Sequence, residues 1–107
     1  MEKFNNKVQL TGNLGATVVL KEVGDKKVAT VSIGLNERYS KDGNDVERVY
    51  WINLTAWGDQ ADKLATYGKG DLIAITGKLI TESYTKDDKP HYTTKVVVFD
   101  SELVYSK

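Results

Sequence analysis

Two tryptophans, Trp51 and Trp57, close a run that reads Val49-Tyr50-Trp51-Ile52-Asn53-Leu54-Thr55-Ala56-Trp57. Side chains of a strand alternate between its faces, so Tyr50, Ile52, Leu54 and Ala56 form an apolar, core-facing set. Trp51, Asn53, Thr55 and Trp57 then lie on the opposite face. Two indoles on the polar face of a strand are exposed apolar surface that something must cover. A neighbouring element of the same chain, a subunit interface, or the bases of a single-stranded nucleic acid would each serve. The last is the sharpest chemistry: a base stacked on an aromatic ring contributes about 1–3 kcal/mol, and any base will do because every base has a π-face. Tyr39 and Tyr84 could extend such a platform, although a tyrosine taken alone is more often an ordinary strand residue.

Seven cations, Lys7, Arg38, Lys41, Arg48, Lys69, Lys86 and Lys95, fall on segments that could flank the aromatics. Taken singly, each is most simply a solvated surface charge. As a set they could track a phosphate backbone, with Arg38 and Arg48 also able to stack on bases. The overall charge argues the other way, since 15 Lys and Arg balance 15 Asp and Glu. A chain without net positive charge does not hold nucleic acid by bulk electrostatics. Stacking is non-ionic, so neutrality becomes an expectation: binding that leans on aromatic rings and survives added salt better than that of a more basic protein.

Other chemistry finds little to work with. His91 is the one histidine, stands beside Pro90 at a turn and has no Cys to partner it, so a zinc site lacks its usual ligands. Asp87 and Asp88 precede Lys89-Pro90, where acidic residues are far more often solvated turn residues than a metal pair. The chain has no cysteine, and no serine-nucleophile or phosphate-loop motif is visible, so neither an enzyme nor a cofactor is expected.

The elements that must position these residues are mostly strands. At 107 residues, 40% hydrophobic and 28% charged, the chain reads as one domain over residues 1–107 with enough apolar side chains for a core. A first strand spans about Lys7–Val23, interrupted by Gly12 and Gly15, which permit a bend. Gly24-Asp25 turns it into a second, Lys27–Asn36, in which Ala29, Val31, Ile33 and Leu35 share one face. A polar loop, Ser40–Asp45, leads to the third strand, about Glu47–Trp57. Between Gly58 and Gly68 the period changes: Ala61, Leu64 and Ala65 recur at helical spacing, and Gly68 stands where a helix-ending glycine is expected. A fourth strand runs from about Asp71 to Thr85, a turn follows at Asp87–Pro90, and a fifth strand covers about His91–Phe99. Long, bent strands with one short helix between the third and fourth describe an all-β, five-stranded Greek-key barrel of the OB type, with an SH3-like barrel as competitor. The binding face of an OB barrel centres on its second and third strands, where Trp51 and Trp57 fall. No apolar run exceeds four residues, so no membrane span is expected. Met1–Asn5 has no apolar leader, and the lack of cysteine suits a reducing compartment, so the cytoplasm is the expected location.

In order and spacing the chain resembles the bacterial single-stranded DNA-binding protein family over about residues 5–99. Asn6-Lys7-Val8 with Gly12-Asn13-Leu14-Gly15 resembles the family's opening strand and bend. Lys27–Ser32 followed by Asn36-Glu37-Arg38-Tyr39 resembles its second strand. Trp51 through Trp57-Gly58, then Tyr67-Gly68-Lys69-Gly70-Asp71, resembles its third strand, helix and glycine turn. Gly77-Lys78-Leu79 and Tyr92-Thr93-Thr94 resemble the last hairpin. The resemblance implies that Tyr39, Trp51, Trp57 and Tyr84 match the family's base-stacking aromatics. It also implies sequence-independent binding of single-stranded DNA in replication, recombination and repair, by a homotetramer, with a dimer as the alternative. A primosome-like assembly module and an RNA-binding OB protein are the alternative functions. Several positions depart from the family pattern. Ile52 and Asn53 stand where the family usually has His and a basic residue, so the subunit and phosphate contacts made there do not carry over. Asp59 replaces a common Lys, and Ile80, Glu82 and Ser83 occupy positions that are often basic. The chain ends at Ser106-Lys107 without the flexible linker and acidic tip that recruit partner proteins to many relatives, so tail-mediated recruitment is not expected.

Overall fold

The computed structural model describes residues 6–107; the expectation drawn from Met1–Asn5 lies outside the described residues. Six strand segments and one helix follow in chain order: β1 (Val8–Leu14), β2 (Val19–Val23), β3 (Lys26–Lys41), β4 (Asn44–Trp57), α1 (Asp59–Leu64), β5 (Leu72–Lys86) and β6 (Lys89–Tyr105). They form a sheet in the order β1-β5-β6-β4-β3-β2. The end of β1 also pairs with β3, Asn13 opposite Gly34 and Leu14 opposite Ile33, so the ladder closes on itself. Closure leaves the barrel without a free edge there, which is how OB folds manage a strongly bent sheet.

The expected first strand is therefore two segments, β1 on β5 and β2 on β3. A strand that serves two neighbours must turn between them, and it does so at Gly15, whose N–H donates to the Ser32 carbonyl at 2.9 Å. Just before this turn β1 lies so close to β3 that a Cβ built on Gly12 would overlap the Gly34 carbonyl. Glycine is required at such an approach.

Alternation holds inside the barrel. Ala29 and Ile33 of β3, Leu54 and Ala56 of β4, Ile73 and Ile75 of β5, and Val96 and Val98 of β6 meet in one buried cluster with Leu14. Ala61 and Leu64 add the buried face of α1 to it. The helix is shorter than expected and does not reach Gly68. Thr66 Oγ1 donates to the Lys63 carbonyl at 2.6 Å, and the Tyr67 N–H bonds back three residues to Leu64, so the chain leaves the helix in a tight turn. Gly68 instead donates its N–H to Asp71 Oδ2 at 2.8 Å, and the left-handed residue is Gly70, at φ 88°.

Two hairpins run past the core. The expected loop at Ser40–Asp45 is a two-residue turn, Asp42-Gly43, with φ of 54° and 80°. Positive φ at both central residues is the type I′ pattern that Asp-Gly favours. Asp87-Asp88 makes the other turn in the same way, at 55° and 62°, so Lys89 and Pro90 are strand residues, paired with Lys86 and Thr85. The last strand also continues beyond Phe99 to Tyr105, with a bulge that leaves Phe99 unpaired. Tyr50, expected in the core, is 45% exposed. It stands opposite Leu35 on the projecting part of the β3–β4 ladder, where β6 no longer covers β4.

Candidate nucleic-acid interface

The β3–β4 register runs without a bulge from Val28 opposite Trp57 to Lys41 opposite Asn44. Trp51, Asn53, Thr55 and Trp57 thus share the outer face with Gly34, Ser32, Thr30 and Val28. Trp51 is 59% exposed and Trp57 44%, and the six-residue step from one to the other spans about 20 Å along the strand. Between them lies an open groove of about 420 Å³, floored by Thr30, Ser32, Asn53 and Thr55. Ala16 and Thr17 of the β1–β2 connection border it, as do Thr93 and Lys95 of β6. Ser32 Oγ donates to Asn53 Oδ1 at 3.1 Å, which fixes the Asn53 amide on the floor. Thr55 belongs to this face but is buried, because β6 pairs in parallel with β4 at Thr55 opposite Val97.

Trp51 has a seat that sequence reasoning missed. A Cβ built on Gly34, its cross-strand partner, would stand 3.0 Å from the indole, and one on Gly15 would overlap the ring. The indole lies against bare backbone on one side and offers its other surface to solvent. The signal for this is present in the sequence, since Gly12-Asn13-Leu14-Gly15 and Gly34 mark where β1 and β3 meet, but Gly12 and Gly15 by themselves indicate only a bend.

The two tyrosines are placed differently. Alternation puts Tyr39 on the face opposite Trp51, where the Arg48 guanidinium stands 5.8 Å from its ring centre. Tyr84 is half exposed on the β5–β6 hairpin, its ring stacked on that of His91. The expected phosphate-binding cations are dispersed. Lys95 reaches the groove but is bridged to Glu82 at 2.8 Å. Arg38 shares the tryptophan face and lies 3.8 Å from Glu47. Lys69 is in the turn whose Gly70 N–H bonds the Leu14 carbonyl, next to Gly15. Lys41 and Lys86 flank the two hairpin turns, Arg48 is on the Tyr39 face, and Lys7 precedes β1; all are exposed. Among the described residues no cluster of three His, Asp or Glu could hold a metal ion, and no helix is long and apolar enough to cross a membrane.

A closed OB barrel whose outer face carries a polar-floored groove with an exposed indole at each end has the architecture of a polymer-binding OB protein. Residues 5–104 match the profile of the single-strand binding protein family. The chain belongs to that family. It is 38% identical over 104 residues to the single-stranded DNA-binding protein 2 of Streptococcus agalactiae serotype V, covering 95% of this chain and 79% of that one. It is also 38% identical over 96 residues to the single-stranded DNA-binding protein of Clostridium tetani, covering 86% and 65%. Among solved structures, the Plasmodium falciparum SSB complex with single-stranded DNA aligns over 100% of this chain and 99% of its own, with a TM-score of 0.82 at 23% identity. The Thermus aquaticus single-stranded DNA-binding protein aligns over 96% and 52%, with a TM-score of 0.81 at 19% identity. At these identities the two structures speak for the fold.

Proposed function

We propose that this chain binds and protects single-stranded DNA without sequence preference, as one OB-fold unit over residues 1–107, in replication, recombination and repair. The observation that carries the reading is the groove on the β3–β4 face with an exposed indole at each end, in a chain of this family. Bases stack on Trp51 and Trp57, with Tyr84 reached along the β5–β6 hairpin and Tyr39 from the far side of the β3–β4 ladder. Lys69 and Arg38 hold phosphates beside Trp51, Lys95 does so in the groove, and Lys7, Lys41, Arg48 and Lys86 lie further along the path. No reaction and no cofactor is involved. The chain acts as a homo-oligomer, a tetramer by family likeness, in the cytoplasm with the nucleoid. Tyr50 and Leu79, exposed apolar side chains outside the groove, are the kind of surface that a subunit contact covers.

Titrating oligo-dT into the protein tests this reading. Tryptophan fluorescence falls to a saturable plateau if bases stack on the indoles. An unchanged signal, with no band shift at low salt, overturns it. Competition with an RNA strand of equal length decides between the two polymers, and tighter binding of RNA would favour an RNA-binding OB protein.

A further inference from the structure

The groove floor carries one amide side chain, and its orientation is fixed. Asn53 and Ser32 are cross-strand partners on the outer face, and Ser32 Oγ donates to Asn53 Oδ1 at 3.1 Å. With the carbonyl end engaged, the side chain offers the groove the two N–H groups of Nδ2. Ser32 is half-buried while Asn53 is exposed, so the amide is the group that an occupant of the groove meets. Asn53 stands two residues from Trp51 and four from Trp57, about 7 Å and about 13 Å along the strand. A strand stacked on both indoles therefore carries its intervening bases across this floor. A cation at position 53 would reach for phosphate, which carries no sequence information, whereas an uncharged amide meets base edges, which do.

We propose that Asn53 acts on those bases as a one-sided hydrogen-bond donor, so that the groove favours bases with a carbonyl oxygen and disfavours adenine, the one DNA base that has none. The proposal rests on the reading of the groove as a single-strand site. An asparagine free at both ends pairs with adenine in two places, its N–H to a ring nitrogen and its carbonyl to the N6 amino group. Here the Ser32 hydroxyl engages that carbonyl, so adenine loses the acceptor for its amino group and turns amino hydrogens toward the amide's own. Thymine O2 and O4, cytosine O2 and guanine O6 each accept from Nδ2 without needing the carbonyl. The other side chains of the floor do not reverse this bias. The Thr30 hydroxyl donates or accepts equally, Thr55 is buried, and Lys95 brings only donors. Stacking on Trp51 and Trp57 serves every base alike, so the bias is a modest grading of affinity on top of binding to any sequence.

The test compares oligo-dT strands of equal length in which isolated thymidines are replaced either by deoxyadenosine or by deoxyinosine, a purine of nearly the same size with a carbonyl oxygen where adenine has its amino group. Dissociation constants are read by tryptophan quenching for the wild-type chain, Asn53→Val and Ser32→Ala. One exposed hydrogen bond gives about two- to fivefold tighter wild-type binding of the inosine strand. Asn53→Val brings the two strands to equal affinity, and Ser32→Ala, which frees the amide carbonyl for the adenine amino group, narrows the gap. Equal wild-type affinity for the two strands, or tighter binding of the adenosine strand, overturns the proposal. So does either variant that is folded by its melting temperature and keeps the wild-type ratio. A wild-type chain whose tryptophan fluorescence responds to neither strand overturns strand binding itself, a separate result.

Discussion

Trp51 depends on what it rests against. Its indole lies on the backbone at Gly15 and beside Gly34, so its tilt is set by the absence of two Cβ atoms. Gly15→Ala places a methyl where the ring lies, yet touches none of the buried core. The expected outcome is a several-fold loss of affinity for oligo-dT with a melting temperature little changed, measured by titration and thermal unfolding of the same preparation. Trp51→Ala and Trp57→Ala should each cost about 1–3 kcal/mol of binding, with the sedimentation coefficient unchanged. Loss of the oligomer with binding intact would mean instead that the indoles are subunit contacts of an assembly module. Both tryptophans were legible in the sequence because the core set beside them, Leu54 and Ala56, is buried as alternation requires. Tyr39 was legible too: counting in twos from Ala29 through Leu35 arrives at Tyr39, on the side away from Trp51. Parity, rather than the match to a family position, sets the face on which Tyr39 stands.

The helix and its exit turn hold one end of the barrel, and a single carboxylate organises the turn. Asp71 is buried at the start of β5; its Oδ2 accepts the Gly68 N–H at 2.8 Å and its Oδ1 the Lys107 N–H at 3.1 Å. The Gly68 bond, then that of Lys107, holds its carboxyl below the usual carboxylate range against the opposing effect of burial. A carboxyl depressed in the folded state stabilises the fold fully above its unfolded pKa, near about 3.9. That contribution is lost as pH falls below this value and through the folded one. Asp71→Asn should therefore lower the melting temperature at neutral pH and flatten its fall on acidification, and a variant with the wild-type profile would show that the turn does not depend on the charge. The expected helical ending at Gly68 is not met, because spacing alone does not reveal that the Thr66 hydroxyl caps the Lys63 carbonyl or that Asp71 holds the Gly68 N–H. The hairpin turns are obscured for a different reason. Asp42-Gly43 is embedded in the polar run Ser40–Asp45, which masks the Asp-Gly pair that a type I′ turn favours, and Asp87-Asp88 gives a weaker version of that signal.

At the scale of the whole molecule, the balance of 15 positive against 15 negative side chains acquires a location. Glu82 sits on Lys95 at the groove, and Glu47 lies beside Arg38 on the tryptophan face. Two of the cations nearest the proposed strand path are thus partly neutralised by the chain's own carboxylates, a pairing that composition could not reveal. Glu82 is the exposed partner of its pair while Lys95 is half-buried, so the substitution changes the carboxylate and leaves the lysine's packing in place. Glu82→Gln should leave Lys95 wholly to its phosphate, raise affinity at low salt and steepen the slope of log affinity against log salt by up to about 0.7, the value of one full contact on a single strand. An unchanged slope would place Lys95 off the path. The most direct test of the account is the oligo-dT titration of the wild-type chain, followed by tryptophan quenching across a salt series. If stacking on Trp51 and Trp57 dominates, quenching saturates at every salt concentration and the slope stays shallower than about −3, corresponding to about four phosphate contacts or fewer. Quenching that is absent, or affinity that collapses steeply between low and moderate salt, would contradict it.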